Sequence, residues 1–115
     1  AEFLALVQDA LNVRAISYVG NPETKVQRVA VACGSAAEFL ADAERHEADV
    51  LLTGEARFHA CLEARTRGIP MVLAGHYATE RPGVEALAAI IARQFPGLAA
   101  SASTVERDPL NWSVR

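Results

Sequence analysis

Val29-Ala30-Val31-Ala32 before Cys33-Gly34, Val50-Leu51-Leu52-Thr53 before Gly54, and Met71-Val72-Leu73-Ala74 before Gly75 are three short apolar runs, each closed by a glycine. They begin at 29, 50 and 71, a constant interval of 21 residues. Continuous apolar runs of four, bounded by glycine, are the pattern of strands buried on both faces, as in a parallel sheet. An interval of this length leaves room for one helix between each strand and the next.

The intervening segments carry helical periodicity. Ser35-Ala36-Ala37-Glu38 has the spacing of a capping box, in which hydroxyl and carboxylate satisfy free N–H groups of a first turn. Phe39, Leu40 and Ala43 then predict a buried stripe, and Phe58, Cys61 and Leu62 predict the same for the next helix, which Gly68 ends in the left-handed conformation. Pro82 predicts the first turn of a third helix, with Val84, Leu87, Ile91 and Phe95 on its buried face and Pro96-Gly97 as its stop. Before the first run lie an amphipathic helix marked by Phe3, Leu6, Val7 and Leu11, a strand at Ala15–Val19, and a turn at Gly20-Asn21-Pro22. After the third helix, Ser101–Val105 reads as an edge strand and 108–112 as irregular. The expected architecture is α/β: one three-layer domain over residues 1–115, with βα repeats around a mostly parallel sheet. Right-handed crossovers place the three strand ends on one edge.

The chain has 115 residues, 51% hydrophobic and 22% charged, which excludes intrinsic disorder and suits one domain. Eleven Lys and Arg stand against fourteen Asp and Glu, a net charge of −3, so there is no basic footprint for nucleic acid. No apolar run approaches the roughly 20 residues that span a bilayer. The opening AEFLALVQDALN has no basic stretch of a secretory leader, and two cysteines are too few for a disulfide framework, so the cytoplasm is the expected compartment.

Open α/β sheets bind ligands at the carboxyl ends of their strands. That edge receives Cys33-Gly34-Ser35, Gly54-Glu55-Ala56-Arg57-Phe58-His59 and Gly75-His76-Tyr77-Ala78-Thr79-Glu80-Arg81. Glu55 and His59 are four apart, as are His76 and Glu80; on a helix each pair shares a face. Imidazole nitrogen with carboxylate oxygen suits a divalent ion such as Zn, Fe or Mn, although such pairs also occur as plain surface ion pairs and two ligands alone hold a metal weakly. Arg57 and Arg81, near helix starts, are candidates for a phosphate. Cys33 reads chiefly as a small buried residue and secondarily as a nucleophile; Cys61 reads as core and His46 as solvated. Dinucleotide and P-loop glycine patterns are absent.

The run Ala74-Gly-His-Tyr-Ala-Thr-Glu-Arg-Pro-Gly83 resembles the C-terminal signature of the Nif-three-like family, also called dinuclear metal centre proteins or GTP cyclohydrolase I type 2 homologues. Val26–Ser35 and Ala48–Glu55 are similar to further family stretches, and the likeness covers roughly residues 1–112. It implies a Nif-three-like α/β fold, ring-shaped hexamers and a site for one or two divalent ions. It implies His76 and Glu80 as metal ligands, and Glu55 and His59 as groups that orient a ligand or act as acid and base. Family members have an N-terminal half that supplies a His-His pair and an Asp. No adjacent histidines exist in this sequence, so the likeness is to the C-terminal half alone; some members carry an inserted domain between their halves, and the start at Ala1 resembles the segment just after such an insertion.

The expected function is therefore a metal-binding domain that supplies part of a dinuclear hydrolase site of cyclohydrolase type, acting on a small phosphate or purine-like substrate. Its expected partners are further copies of itself and the missing N-terminal half. The alternative is a non-catalytic oligomerisation or protein-interaction module with at most a weak metal site. Abundant Ala and Arg beside a single Lys suggest a GC-rich bacterial source.

Overall fold

A computed structural model describes residues 1–113. The elements in chain order are α1 (Glu2–Leu11), β1 (Ser17–Val19), β2 (Val29–Ala32), α2 (Leu40–Arg45), β3 (Val50–Thr53), α3 (Phe58–Arg67), β4 (Met71–Leu73) and α4 (His76–Gln94), with a short 3-10 turn at Ala37–Phe39 before α2. The sheet order is β1-β4-β3-β2. β2 runs parallel to β3 and β3 to β4, while β1 pairs with β4 antiparallel. The three runs spaced by 21 residues are thus the three parallel strands, and the sheet is mostly parallel as expected.

Side-chain alternation along the strands builds the layers. Val50 and Val72 point to one face and pack with Val7 of α1. Leu51 and Met71, paired across the ladder, point to the other and pack with Leu40 and Ala43 of α2 and Ala64 of α3. Two apolar faces on one sheet need two covering layers, which α1 and the α2–α3 pair provide. Leu51 is fully buried at the centre of the second cluster. Leu51→Ala is expected to lower the unfolding free energy by about 3–4 kcal/mol, as lost transfer energy plus a cavity. A urea midpoint near the parent's would contradict this placement.

Several expectations are corrected. β2 is an edge strand, not one buried on both faces: it pairs only with β3, and Val31 is 64% exposed. Ser35-x-x-Glu38 forms no capping box; the turn there starts from Ala36 with no side-chain cap. Of the stripe on α2, Leu40 and Ala43 are buried but Phe39 is exposed. On α3, Phe58 and Leu62 are exposed and Ala64 is the buried residue, while Cys61 is partly buried against the core. Gly68 does close α3 at φ 71°. Cys33, expected chiefly as a buried residue, is exposed in the turn that follows the edge strand β2.

The largest correction concerns α4. It begins at His76, six residues before the expected start, and carries Pro82 inside. Proline lacks the N–H that would bond the carbonyl four residues back, so the helix continues past one missing bond. Thr79 is its one buried residue, and Val84, Leu87 and Phe95 of the predicted buried face are exposed. Its first turn is tied to the strand ends through Thr79, and most of the residues after it are exposed. Ser101–Val105 forms no strand; it runs irregularly beside α4, and 108–112 is irregular as expected.

Candidate metal-ligating edge

The three glycines that close the parallel strands converge. Gly54 N–H donates to the carbonyl of Gly34 (2.8 Å), as does Glu55 N–H (3.0 Å), and Gly75 N–H donates to the carbonyl of Gly54 (2.8 Å). Two buried threonines lock this arrangement. Thr53 Oγ1 donates to Gly34 O (3.1 Å) and accepts from Ala36 N–H (3.3 Å). Thr79 Oγ1 accepts from Gly34 N–H (3.0 Å) and has the carbonyls of Gly75 and His76 within 3.0 Å for its own proton. Gly34 has φ 69°, a left-handed conformation that glycine adopts without strain. A Cβ on it would stand 2.4 Å from Glu80 Oε1 and 3.1 Å from His76 Nε2. The missing side chain is the space in which His76 and Glu80 sit.

Thr53 and Thr79 were not recognised as site residues in the sequence. Their signal was a polar residue in each of two otherwise apolar settings: the end of a buried strand and the inner face of a helix's first turn. Buried hydroxyls are nearly always bonded, so a threonine there implies backbone groups that need it. Thr79→Val is expected to cost about 1–3 kcal/mol, because it leaves the Gly34 N–H buried and unpaired. A thermal melt within error of the parent's would argue against that role.

His76 stands between two carboxylates. Its Nδ1 is 2.9 Å from Glu55 Oε1 and its Nε2 is 3.2 Å from Glu80 Oε1. All three side chains are about half exposed. A carboxylate only accepts, so Nδ1 carries the proton shared with Glu55, and in the neutral ring Nε2 keeps its lone pair on the Glu80 side. The hydrogen bond that Nδ1–H donates to Glu55, opposed by partial burial and helped by the charges of Glu80 and Glu55, holds the His76 pKa above its ordinary 6.5.

The spacing argument for His76 and Glu80 holds, since both lie on α4 within reach of one another. The pairing of Glu55 with His59 does not. Glu55 lies in the loop before α3 rather than on the helix, and its carboxylate turns to His76. His59 is exposed in the first turn of α3, its ring tilted against Phe58 at 6.1 Å between centroids. Arg57 is an exposed residue preceding α3. Arg81 is engaged by Glu85 Oε1 (2.8 Å), by the carbonyl of Ser103 (2.7 Å) and, at 3.6 Å, by Glu106 Oε1. His46 is solvated as expected. Among the described residues, no group of three or more His, Cys, Asp or Glu side chains is arranged to hold a metal ion.

A parallel-centred sheet whose glycine-closed edge presents one imidazole between two carboxylates defines a mixed α/β protein. Residues 1–109 match the model of the Duf34/NIF3 (NGG1p interacting factor 3) family, and the chain belongs to that family. It is 30% identical over 115 residues to the GTP cyclohydrolase 1 type 2 homolog of Staphylococcus aureus strain COL, covering 96% of this chain and 31% of that protein. It is 50% identical over 62 residues to the protein of the same name from Halobacterium salinarum, covering 54% and 24%. The crystal structure of Staphylococcus aureus protein SA1388 superposes with a TM-score of 0.89 at 28% identity, over 97% of this chain and 38% of that one. The chain thus spans about a third of the length of the curated relatives it matches. No helix of the described residues is long and apolar enough to cross a membrane.

Proposed function

We propose that this chain supplies part of a dinuclear divalent-metal site in a hydrolase of cyclohydrolase type, with His76 and Glu80 as ligands. One observation carries the reading: His76 is oriented by Glu55 at Nδ1 and presents Nε2 beside Glu80 over the Gly34 backbone. Imidazole with carboxylate is a donor set that Zn, Fe or Mn accepts. A carboxylate on the far ring nitrogen fixes the tautomer and raises ligand basicity. Such ions, when bound, lower the pKa of water and polarise a phosphoryl or purine carbon.

The chain's own residues do the rest. Glu55 keeps the Nδ1 proton in place, Thr79 and Thr53 hold the Gly34 loop against the ligands, and the absent Cβ at Gly34 keeps the approach open. His59 stands on the same edge as a candidate acid–base group. The remaining ligands come from outside these residues, from the N-terminal half of a longer protein or a second copy in a cytoplasmic homo-oligomer. A small phosphate or purine-like molecule is the proposed substrate class, in keeping with the name that the relatives bear.

A second reading, a non-catalytic assembly module, is favoured by the exposed Val84, Leu87 and Phe95 of α4. Elemental analysis of a size-exclusion peak of known mass separates the two. Metal near one or two ions per chain, reduced to background in Glu80→Gln, supports the metal site. Background metal both in the parent oligomer and in a longer protein that includes the N-terminal half, after Zn, Fe and Mn have each been offered, leaves the assembly module.

A further inference from the structure

We propose that residues 103–112 form a releasable strap, latched to the start of α4 by Arg81 and Tyr77, and that its release opens the cavity behind it. This is independent of the metal reading, since Tyr77 and Arg81 lie on a different side of α4 from His76 and Glu80.

The strap has no regular secondary structure, and every residue in it except Asp108 is exposed. Val105 is 88% exposed. Apolar burial along it is partial, with Leu110 60% and Trp112 51% exposed. Its identified attachments are polar and lie on one turn of one helix. Tyr77 donates its hydroxyl proton to the carbonyl of Glu106 (3.3 Å). Arg81 Nη2 donates to the carbonyl of Ser103 (2.7 Å), and Nη1 faces Glu106 Oε1 at 3.6 Å. The Arg81 side chain is only 17% exposed, the deepest of the arginines in ion pairs among the described residues. Nη1 is buried and makes no hydrogen bond. A guanidinium beneath an otherwise exposed segment, joined to it by one firm and one long contact beside the Tyr77 bond, is a latch that holds but is not saturated. Glu85 fixes the other side of Arg81 through Nε at 2.8 Å, so the latch keeps its geometry when the strap is gone.

Behind the strap lies a cavity of about 680 Å³ between the end of α1 and the start of α4. Leu11, Arg14, Tyr77, Arg81 and Pro82 line it from the helices and the loop after α1, and Leu110 and Trp112 of the strap line it too. The volume is in the range of small-molecule sites. Undocking the strap withdraws Leu110 and Trp112 from that lining.

Two reporters are already in the sequence. Trp112 is the only tryptophan, and Arg107 places a tryptic site inside the strap. Arg81→Ala is expected to speed cleavage after Arg107 about tenfold, the factor that loss of a charged hydrogen bond gives. Acrylamide quenching of Trp112 should rise with it, while the circular-dichroism melt stays near the parent's. Tyr77→Phe is expected to act in the same direction by about threefold, for one neutral hydrogen bond. Raised salt should accelerate cleavage of the parent, because the Arg81–Glu106 attraction is screened, and should accelerate Arg81→Ala much less. The dye anilinonaphthalene sulfonate should bind the folded latch variants more strongly than the parent.

Unchanged cleavage and quenching in folded Arg81→Ala would overturn the latch. Faster cleavage without added dye binding would overturn the link between strap and cavity. If Arg81→Ala does not fold, Tyr77→Phe removes the other bond to the strap without touching the cleavage site, and the same two outcomes decide.

Discussion

Gly54→Ala is expected to destabilise the chain by about 3 kcal/mol, near the upper end of the usual cost of forcing an atom into a filled space. An added Cβ would stand 2.7 Å from the carbonyl oxygen of Gly34, 2.8 Å from His76 Cα and 2.8 Å from Thr79 Oγ1. None of the three is the free end of a flexible side chain. The Gly34 oxygen is fixed by the Gly54 and Glu55 N–H groups and by Thr53 Oγ1, and Thr79 is fixed by Gly34 N–H. The methyl can be admitted only by moving one strand end from another, which loosens several buried bonds together. Gly83→Ala is the control. It lies in α4 with nothing within 4 Å of an added Cβ, and there alanine should stabilise by about 0.5–1 kcal/mol. Denaturant midpoints of the two variants should therefore move in opposite directions. A Gly54→Ala loss under about 0.5 kcal/mol would mean that the strand ends do not meet this closely.

His76→Ala is expected to weaken divalent-ion binding by more than about 100-fold, beyond the 10–100-fold that loss of an outer partner of a ligand gives. Glu55→Gln should fall inside that outer-partner range, since it keeps the ring but weakens its orientation. Competition with a chromophoric chelator measures both, and binding by His76→Ala at parental strength would remove His76 from the ligand set.

The pH dependence has opposite signs with and without metal. In the metal-free chain the His76 pKa lies above its ordinary 6.5, chiefly through the Glu55 hydrogen bond. The stabilisation from the imidazolium pairs is thus complete below the unfolded value and is lost as pH rises through the folded value. Metal binding needs Nε2 without its proton, so it strengthens over that same rise. A proton-resonance titration of the His76 ring gives the folded value, and metal affinity that falls with rising pH in this window would contradict the assignment.

Recurrence of VAVA, VLLT and MVLA at one interval was enough to place three parallel strands, because each run closes at a glycine and the interval leaves room for one helix between successive strands. Gly68 announced the end of α3 for a similarly local reason, as a residue suited to positive φ. His76 and Glu80 could be paired because four residues of helix bring two side chains together without outside help. The helical stripes failed where local pattern and tertiary burial parted. Val84, Leu87 and Phe95 have the periodicity of a buried face, but no layer among the described residues covers them.

Strand order made β2 an edge and so exposed Val31; no feature of VAVACG distinguishes an edge from a centre. Glu55 was matched with His59 because they are neighbours in sequence, yet its carboxylate meets His76, 21 residues on. Thr79 bonds Gly34 across 45 residues, and the strand-closing glycines touch only because three strands end at one level. By itself the sequence determined the alternation of strands and helices and the pair His76–Glu80, which depend on neighbours a few residues away. Only the tertiary structure decided which strand lies at the edge, which carboxylate orients His76 and what holds Gly34 beneath it. Those depend on close contacts between distant segments, set by the register of the sheet.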